Sequence, residues 1–184
     1  MTETTPANEL LFNVRLSIRY HERRQAFLHA TLNLTLWLAL IANSAVVAIL
    51  LDDGIGHRLA LLPSLAATVF SAACLAYGIR DKANRHDDLR RRFIALEQTI
   101  RSGPETDDAA RAGELERLAI EADEPRVMRV LALMCHNEES LAMGYEPPEL
   151  LRISRLQRTL AQVLDWRPDA IQGPPGATSE PARS

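Results

Sequence analysis

Between Ala26 and Leu51 the chain has no charged side chain, and between Leu59 and Ile79 it again has none, giving uncharged runs of 26 and 21 residues. Crossing about 30 Å of hydrocarbon takes roughly 20 apolar residues in a helix. A helix on a soluble core normally betrays its wet face by periodic polar residues. The 184-residue chain is too small a body to surround two such helices, so the runs predict a transmembrane hairpin closed by "DDGIGHR". A signal peptide is excluded, because its apolar region spans only about 7–15 residues.

Other absences narrow the chemistry. There are only 2 cysteines, and Cys74 falls in the second run while Cys135 lies in the polar half, so no disulfide is implied. No internal repeat is present. The sequence contains no G-x-x-x-x-G-K-[ST], no G-x-G-x-x-G and no zinc-type cysteine pair. "CHNEE" places His136 and Glu138 in H-x-E order, but the downstream P-C-x-x-C of zinc deaminases is missing, and the segment reads as one polar turn of a solvated helix. "HDD" at 86–88 has no further ligands nearby and reads as part of a wet helix face. Neither an enzyme nor a metal or cofactor is expected.

What charge there is flanks the runs. Arg15, Arg19, Arg23 and Arg24 precede the first; Arg80, Lys82, Arg85, Arg90, Arg91 and Arg92 follow the second; the connector holds Arg58 alone. Lys and Arg concentrate on the cytoplasmic side of short spans, so both termini are expected in the cytoplasm. Arg23, Arg24, Arg80, Lys82, Arg85 and Arg90–Arg92 form a basic collar suited to anionic headgroups, each such charge contributing about 1 kcal/mol near the surface. Nucleic acid is not the expected partner: residues 93–166 carry 8 basic against 14 acidic side chains, and no aromatic platform accompanies the arginines.

The pattern along the chain is helical throughout. Residues 1–8 read as a loose tail. Leu10, Leu11, Val14 and Ile18 recur at helical spacing and predict a short amphipathic helix over 9–24, on or entering the membrane. The first span is expected over 26–51 and the second over 59–79, with the Asp52-Asp53-Gly54 and Gly56 turn between them and Pro63 in the first turn of the second. No Pro or Gly interrupts 79–102, so the second span is expected to continue as a single helix to "SGP" at 102–104. Its apolar stripe, Ile79, Ala83, His86, Leu89, Phe93, Leu96 and Ile100, keeps a seven-residue repeat and fits a coiled coil or packing against the later helices. Three shorter helices complete the cytoplasmic part. One covers about 106–121. The next opens at "DEP" with Pro125 in its first turn and runs to Gly144, burying Val127, Val130, Leu131, Met134 and Leu141. The last carries Ile153, Leu156, Leu160 and Val163 to Trp166. From Arg167 to Ser184 the Pro/Gly-rich sequence reads as a disordered tail. The expected class is all-α: a tail and amphipathic helix (1–25), a two-helix transmembrane hairpin (26–79), a cytoplasmic helical bundle or stalk (80–166) and the tail.

Two features of the spans bear on assembly. His29, Asn33, Asn43 and Ser44 fall in one sector of the first run, which either lines a polar path or hydrogen-bonds neighbouring helices. Ser64, Ala67, Ser71, Cys74 and Gly78 form a small-residue stripe, suited to close packing either against the first span of the same chain or between copies.

The parts occur in a familiar order. "YHERR", two spans, "YGIRDKANRHDDLRRRFIALEQTI" and "ELERLAIEADEPRVMRVLALMCHNEESLAMG" together resemble the SLATT family of small two-span bacterial proteins, over roughly residues 9–166. Met128 departs from the aromatic expected after the "DEP" proline. The resemblance implies an inner-membrane effector of antiphage or other conflict systems. Such an effector would oligomerise, receive a signal from a sensor or signalling protein, and disrupt or perforate the membrane. It carries over no catalytic residue. The alternative is a membrane anchor whose helical domain recruits a soluble partner.

Overall fold

The computed structural model describes residues 5–50, 56–144 and 150–171. All elements are helical: α1 (Pro6–Leu50), α2 (Gly56–Ala76), α3 (Ile79–Ser102), α4 (Asp107–Glu121), α5 (Arg129–Ala142), α6 (Arg155–Leu160) and a 3-10 turn, Pro168–Ala170. The described residues contain no strand. They divide into two compact units: one takes the chain up to His21 and again from Leu89, the other is Glu22–Asp88.

The first unit has two apolar clusters. In one, Leu10 and Val14 of α1 pack with Leu89, Phe93 and Leu96 of α3 and Ile120 of α4, while Ile18 and Ile100 are partly covered. Burying each such side chain contributes about 1.5–3 kcal/mol. The apolar face of the N-terminal segment is spent on this core, and the segment starts at Pro6 as part of the same α1 that continues to Leu50. Gly113 lets α4 approach closely, since a Cβ there would lie 2.8 Å from Leu10 Cδ2. Thr106 caps α4, its Oγ1 accepting from Ala109 N at 3.3 Å, with Asp107 and Asp108 at the positive helix end. Here the expected boundaries hold.

In the second cluster Tyr20 packs with Val130, Leu131, Cys135, Ile153 and Ala161. Helix α5 begins at Arg129, four residues beyond Pro125 rather than one turn around it. A residue before proline disfavours helical backbone, and the segment is held extended by tertiary bonds. Met128 N donates to Tyr20 Oη at 3.0 Å, and His21 Nε2 lies 3.0 Å from Glu124 Oε1. The orphan N–H groups of Arg129 and Val130 are then taken by one carboxylate, Asp165, at 3.1 and 2.9 Å. Val130 and Leu131 are buried and Met134 partly so, as expected, but Val127 and Leu141 are exposed.

Helix α6 is also shorter than the sequence predicts. Ser154 and Gln157 form a capping box at its start. The Gln157 amide also donates to the Trp166 and Arg167 carbonyls at 3.4 and 3.1 Å, which requires the chain to fold back after Leu160. Val163 and Trp166 thus lie outside the helix, both exposed. Residues 167–171, expected in the tail, instead contain the 3-10 turn, and Ile171 packs on the second cluster. Residues 172–184 of that tail, residues 1–4, the 52–55 part of the connector turn and "EPPE" at 146–149 lie outside the described residues. Gly56, assigned to the turn, opens α2.

In the second unit Leu28, Cys74, Ile79 and Ala83 form a buried cluster, with Phe27, Leu32 and Phe70 against it. Thr35 Oγ1 donates to the Thr31 carbonyl at 2.9 Å and lies 3.4 Å from Cys74 Sγ. The expected single helix running from the second span to Ser102 is not formed. It breaks at Tyr77–Gly78, where Gly78 takes φ +65°, a conformation glycine adopts without Cβ strain. Beyond the break the predicted α3 stripe is borne out: Ile79, Ala83, His86, Leu89, Phe93 and Leu96 are buried, and Ile100 partly.

Candidate functional site

Helix α1 is long and apolar enough to cross a membrane, and only 6% of its most apolar window is buried. The second unit covers one side of this stretch, through Leu28, Thr31, Leu32, Thr35 and Leu38. His29, Asn33, Asn43 and Ser44 all point the other way and are exposed, together with Leu36 and Leu40. The sector predicted from the sequence therefore exists as one face. Leu34, Trp37 and Ile41 continue the exposed surface on its flank.

The small-residue stripe lies on a covered side. Ala67 and Cys74 are buried, and Ser64, Ser71 and Gly78 are half-buried. Cys74 of this stripe packs with Leu28 of the same chain. The basic collar is less free than its sequence suggests. Arg80, Arg85 and Arg91 are exposed, but Arg23, Arg24, Lys82, Arg90 and Arg92 are half-buried. The Arg24 guanidinium stands over the Phe27 ring, the Lys82 ammonium over Tyr77, and Arg92 Nη1 pairs with Asp123 Oδ2 at 2.6 Å.

A second polar constellation, in the first unit, is not foreshadowed by the sequence pattern. "CHNEE" is not a solvated turn: Cys135, Asn137 and Glu139 are buried. Glu139, 2% exposed, accepts from Arg19 Nε at 2.6 Å and faces Arg15 Nη1 at 3.8 Å. That hydrogen bond raises the Arg19 pKa. Arg15 Nε in turn donates to Glu97 at 2.9 Å. The Asn137 amide clamps the backbone of Leu151, donating to its carbonyl at 2.8 Å and accepting from its N–H at 2.9 Å. His136 meets the Phe12 ring edge-on, and burial lowers its pKa. His86 is buried, as the α3 stripe requires and against the wet face read for "HDD", and Asp87 accepts from Gln25 at 3.1 Å.

His21 is fully buried, stacked on Phe93 and paired with Glu124. Beside it opens a cavity of about 430 Å³, lined by Ser17, Tyr20, Glu121, Glu124, Pro125 and Val127 among others. Burial pushes the Glu121 carboxyl up, with its ion-pair partner Arg117 pulling against this. The spacing of Arg15 and Arg19, four apart on α1, was a visible signal that one partner would serve both. Nothing in the sequence pointed to a partner 120 residues away.

No family model, curated protein or solved structure matches the chain. The chemistry must therefore be read from the geometry. Among the described residues no group of three or more His, Cys, Asp or Glu is placed to hold a metal ion. The polar constellation of the first unit is composed of paired charges that fix α1 to α3 and α5. In the exposed polar sector of the second unit, Ser44 donates to the Leu40 carbonyl at 2.9 Å, while His29, Asn33 and Asn43 have no hydrogen-bond partner among the described residues.

Proposed function

We propose that this chain is a bacterial inner-membrane effector. In this reading α1 from Ala26 and the apolar α2 form a two-span hairpin with both termini cytoplasmic, and several copies assemble to make the bilayer permeable. The observation that carries it is the uncovered apolar stretch of α1: 6% burial over a window of spanning length leaves a large apolar surface that water would not tolerate. Basic residues at both cytoplasmic ends, Arg23, Arg24, Arg80 and Arg85, support the orientation. The step from membrane protein to effector rests on the SLATT resemblance.

A second reading is favoured by the cavity lined by Leu16, Tyr20, Glu121 and Glu124: the hairpin anchors a helical unit that recruits a soluble partner or ligand, with no permeabilisation. Regulated expression with a membrane-potential dye separates the two. Depolarisation that tracks expression is expected of the effector. A membrane that stays polarised while the protein accumulates in it refutes the effector reading and leaves the anchor. Reporter fusions at either terminus test the topology, and a periplasmic signal from one of them refutes it.

A further inference from the structure

The exposed sector of α1 has a spacing that the sector itself does not require. His29, Asn33, Leu36, Leu40 and Asn43 follow one another at intervals of four, three, four and three. This is the period of a left-handed coiled-coil seam, in which alternate positions meet their counterparts on a parallel helix. All five are exposed, Leu36 at 68% and Leu40 at 57%.

The hydrogen bonding of this stretch divides into satisfied and unsatisfied groups. Thr31, Thr35 and Ser44 each donate their hydroxyl to the carbonyl four residues back, at 2.9 Å, and so need nothing from outside the helix. Asn33 and Asn43 receive no hydrogen bond from any described group. A side-chain amide has two donor hydrogens and an acceptor oxygen, which a helix backbone cannot satisfy by bonding back. Left bare in hydrocarbon such a group is costly.

We infer that a second copy of this chain covers the sector, its α1 parallel to the first, with Leu36 and Leu40 interdigitating between two rungs of paired amides at Asn33 and Asn43. The inference rests on the membrane reading above. The occupant is a second copy for three reasons. An amide is its own complement, donating to and accepting from an identical group. Copies with the same topology present the same residues at the same depth, so both rungs, about 15 Å apart along the helix, align at once. In the small-residue stripe of α2, Ala67 and Cys74 are already buried within one chain, whereas the α1 sector is exposed at every seam position. An asparagine at a seam position sets register and partner number in coiled coils, and both amides take that role in this seam. The flank bearing Leu34, Trp37 and Ile41 is left to lipid.

The test uses the full-length chain in its membrane. Single-cysteine substitutions Leu36→Cys and Leu40→Cys lie on the seam; Leu34→Cys and Ile41→Cys, equally exposed, lie on the flank. Oxidative cross-linking should give a dimer band for the seam pair several-fold above the flank pair and above the unsubstituted chain. In parallel, Asn33→Leu combined with Asn43→Leu should weaken self-association about ten-fold, two interhelical hydrogen bonds' worth, whereas Asn33→Gln should restore most of it. Flank cross-links equal to seam cross-links, a monomer, or a band at the mass of a different protein overturns the inference while the membrane reading stands. So does assembly that persists in the double leucine variant while dye leakage falls, because the amides then line a water path. Loss of the chain from carbonate-washed membranes overturns the membrane reading, and the seam with it.

Discussion

The two sides of the Arg19–Glu139 contact should respond unequally to deletion. Glu139 is 2% exposed, whereas the Arg19 and Arg15 side chains are 39% and 29% exposed. Removing the carboxylate leaves arginines that water can reach, and Arg15 keeps Glu97. Glu139→Gln should thus cost about one charge-assisted hydrogen bond, roughly 1.5–3 kcal/mol. Removing the arginine strands a buried carboxylate whose remaining cation stands at 3.8 Å, so Arg19→Met should cost more, about 3–5 kcal/mol. Replacing both, as Arg19→Met with Glu139→Leu, should recover most of the loss, because apolar groups of similar volume make no such demand. Hydrogen–deuterium exchange of the α5 amides in the full-length chain reads these differences as protection factors, ten-fold for each 1.4 kcal/mol or so. A larger cost for Glu139→Gln than for Arg19→Met, or a double variant as unstable as the sum of the singles, would refute this asymmetry.

Two further outcomes follow from the same unit. Asp165→Ala leaves the Arg129 and Val130 N–H groups without their carboxylate, and should lower the stability of α5 by about 0.5–2 kcal/mol while leaving α4, capped by its own Thr106, unaffected; equal loss of exchange protection in both helices would falsify the assignment. Burial lowers the His136 pKa below its ordinary value, so the folded state binds fewer protons than the unfolded one, and the stability this gives is present above about pH 6.5 and lost as pH falls through the folded pKa; His136→Phe should flatten that part of the pH profile in α5 exchange, and an unchanged profile would show that another group titrates there.

Legibility in the sequence tracked the range of the forces involved. The α3 stripe and the start of α4 were readable because period and cap lie within a few residues of what they specify. The start of α5 was not, because its N–H groups are satisfied by a carboxylate 35 and 36 residues downstream, and Pro125 is an equally good local signal for a helix that the tertiary bonds to Tyr20 and His21 prevent. The α2–α3 break hid because Gly78 fits a small-residue stripe as well as it fits a left-handed turn; only the observed φ of +65° decides between them. The polar sector of α1 was visible from angular spacing alone. Its separation from the covered side of α1 was not, since that depends on which residues α2 and the start of α3 cover.

The first unit is discontinuous in the chain, and this sets an order of events during synthesis. Leu10 and Val14 leave the ribosome early, but their partners Leu89, Phe93, Leu96 and Ile120 emerge only after all of Glu22–Asp88 has been made. At about 5–20 residues per second that interval is on the order of 5–20 s. Throughout it the apolar face of the first turns of α1 has nothing to pack against, while, in the membrane reading, the most apolar part of the chain is passing to the bilayer. In that reading the first unit can close only after the apolar segment has reached the bilayer, because its α3 and α4 partners are made last.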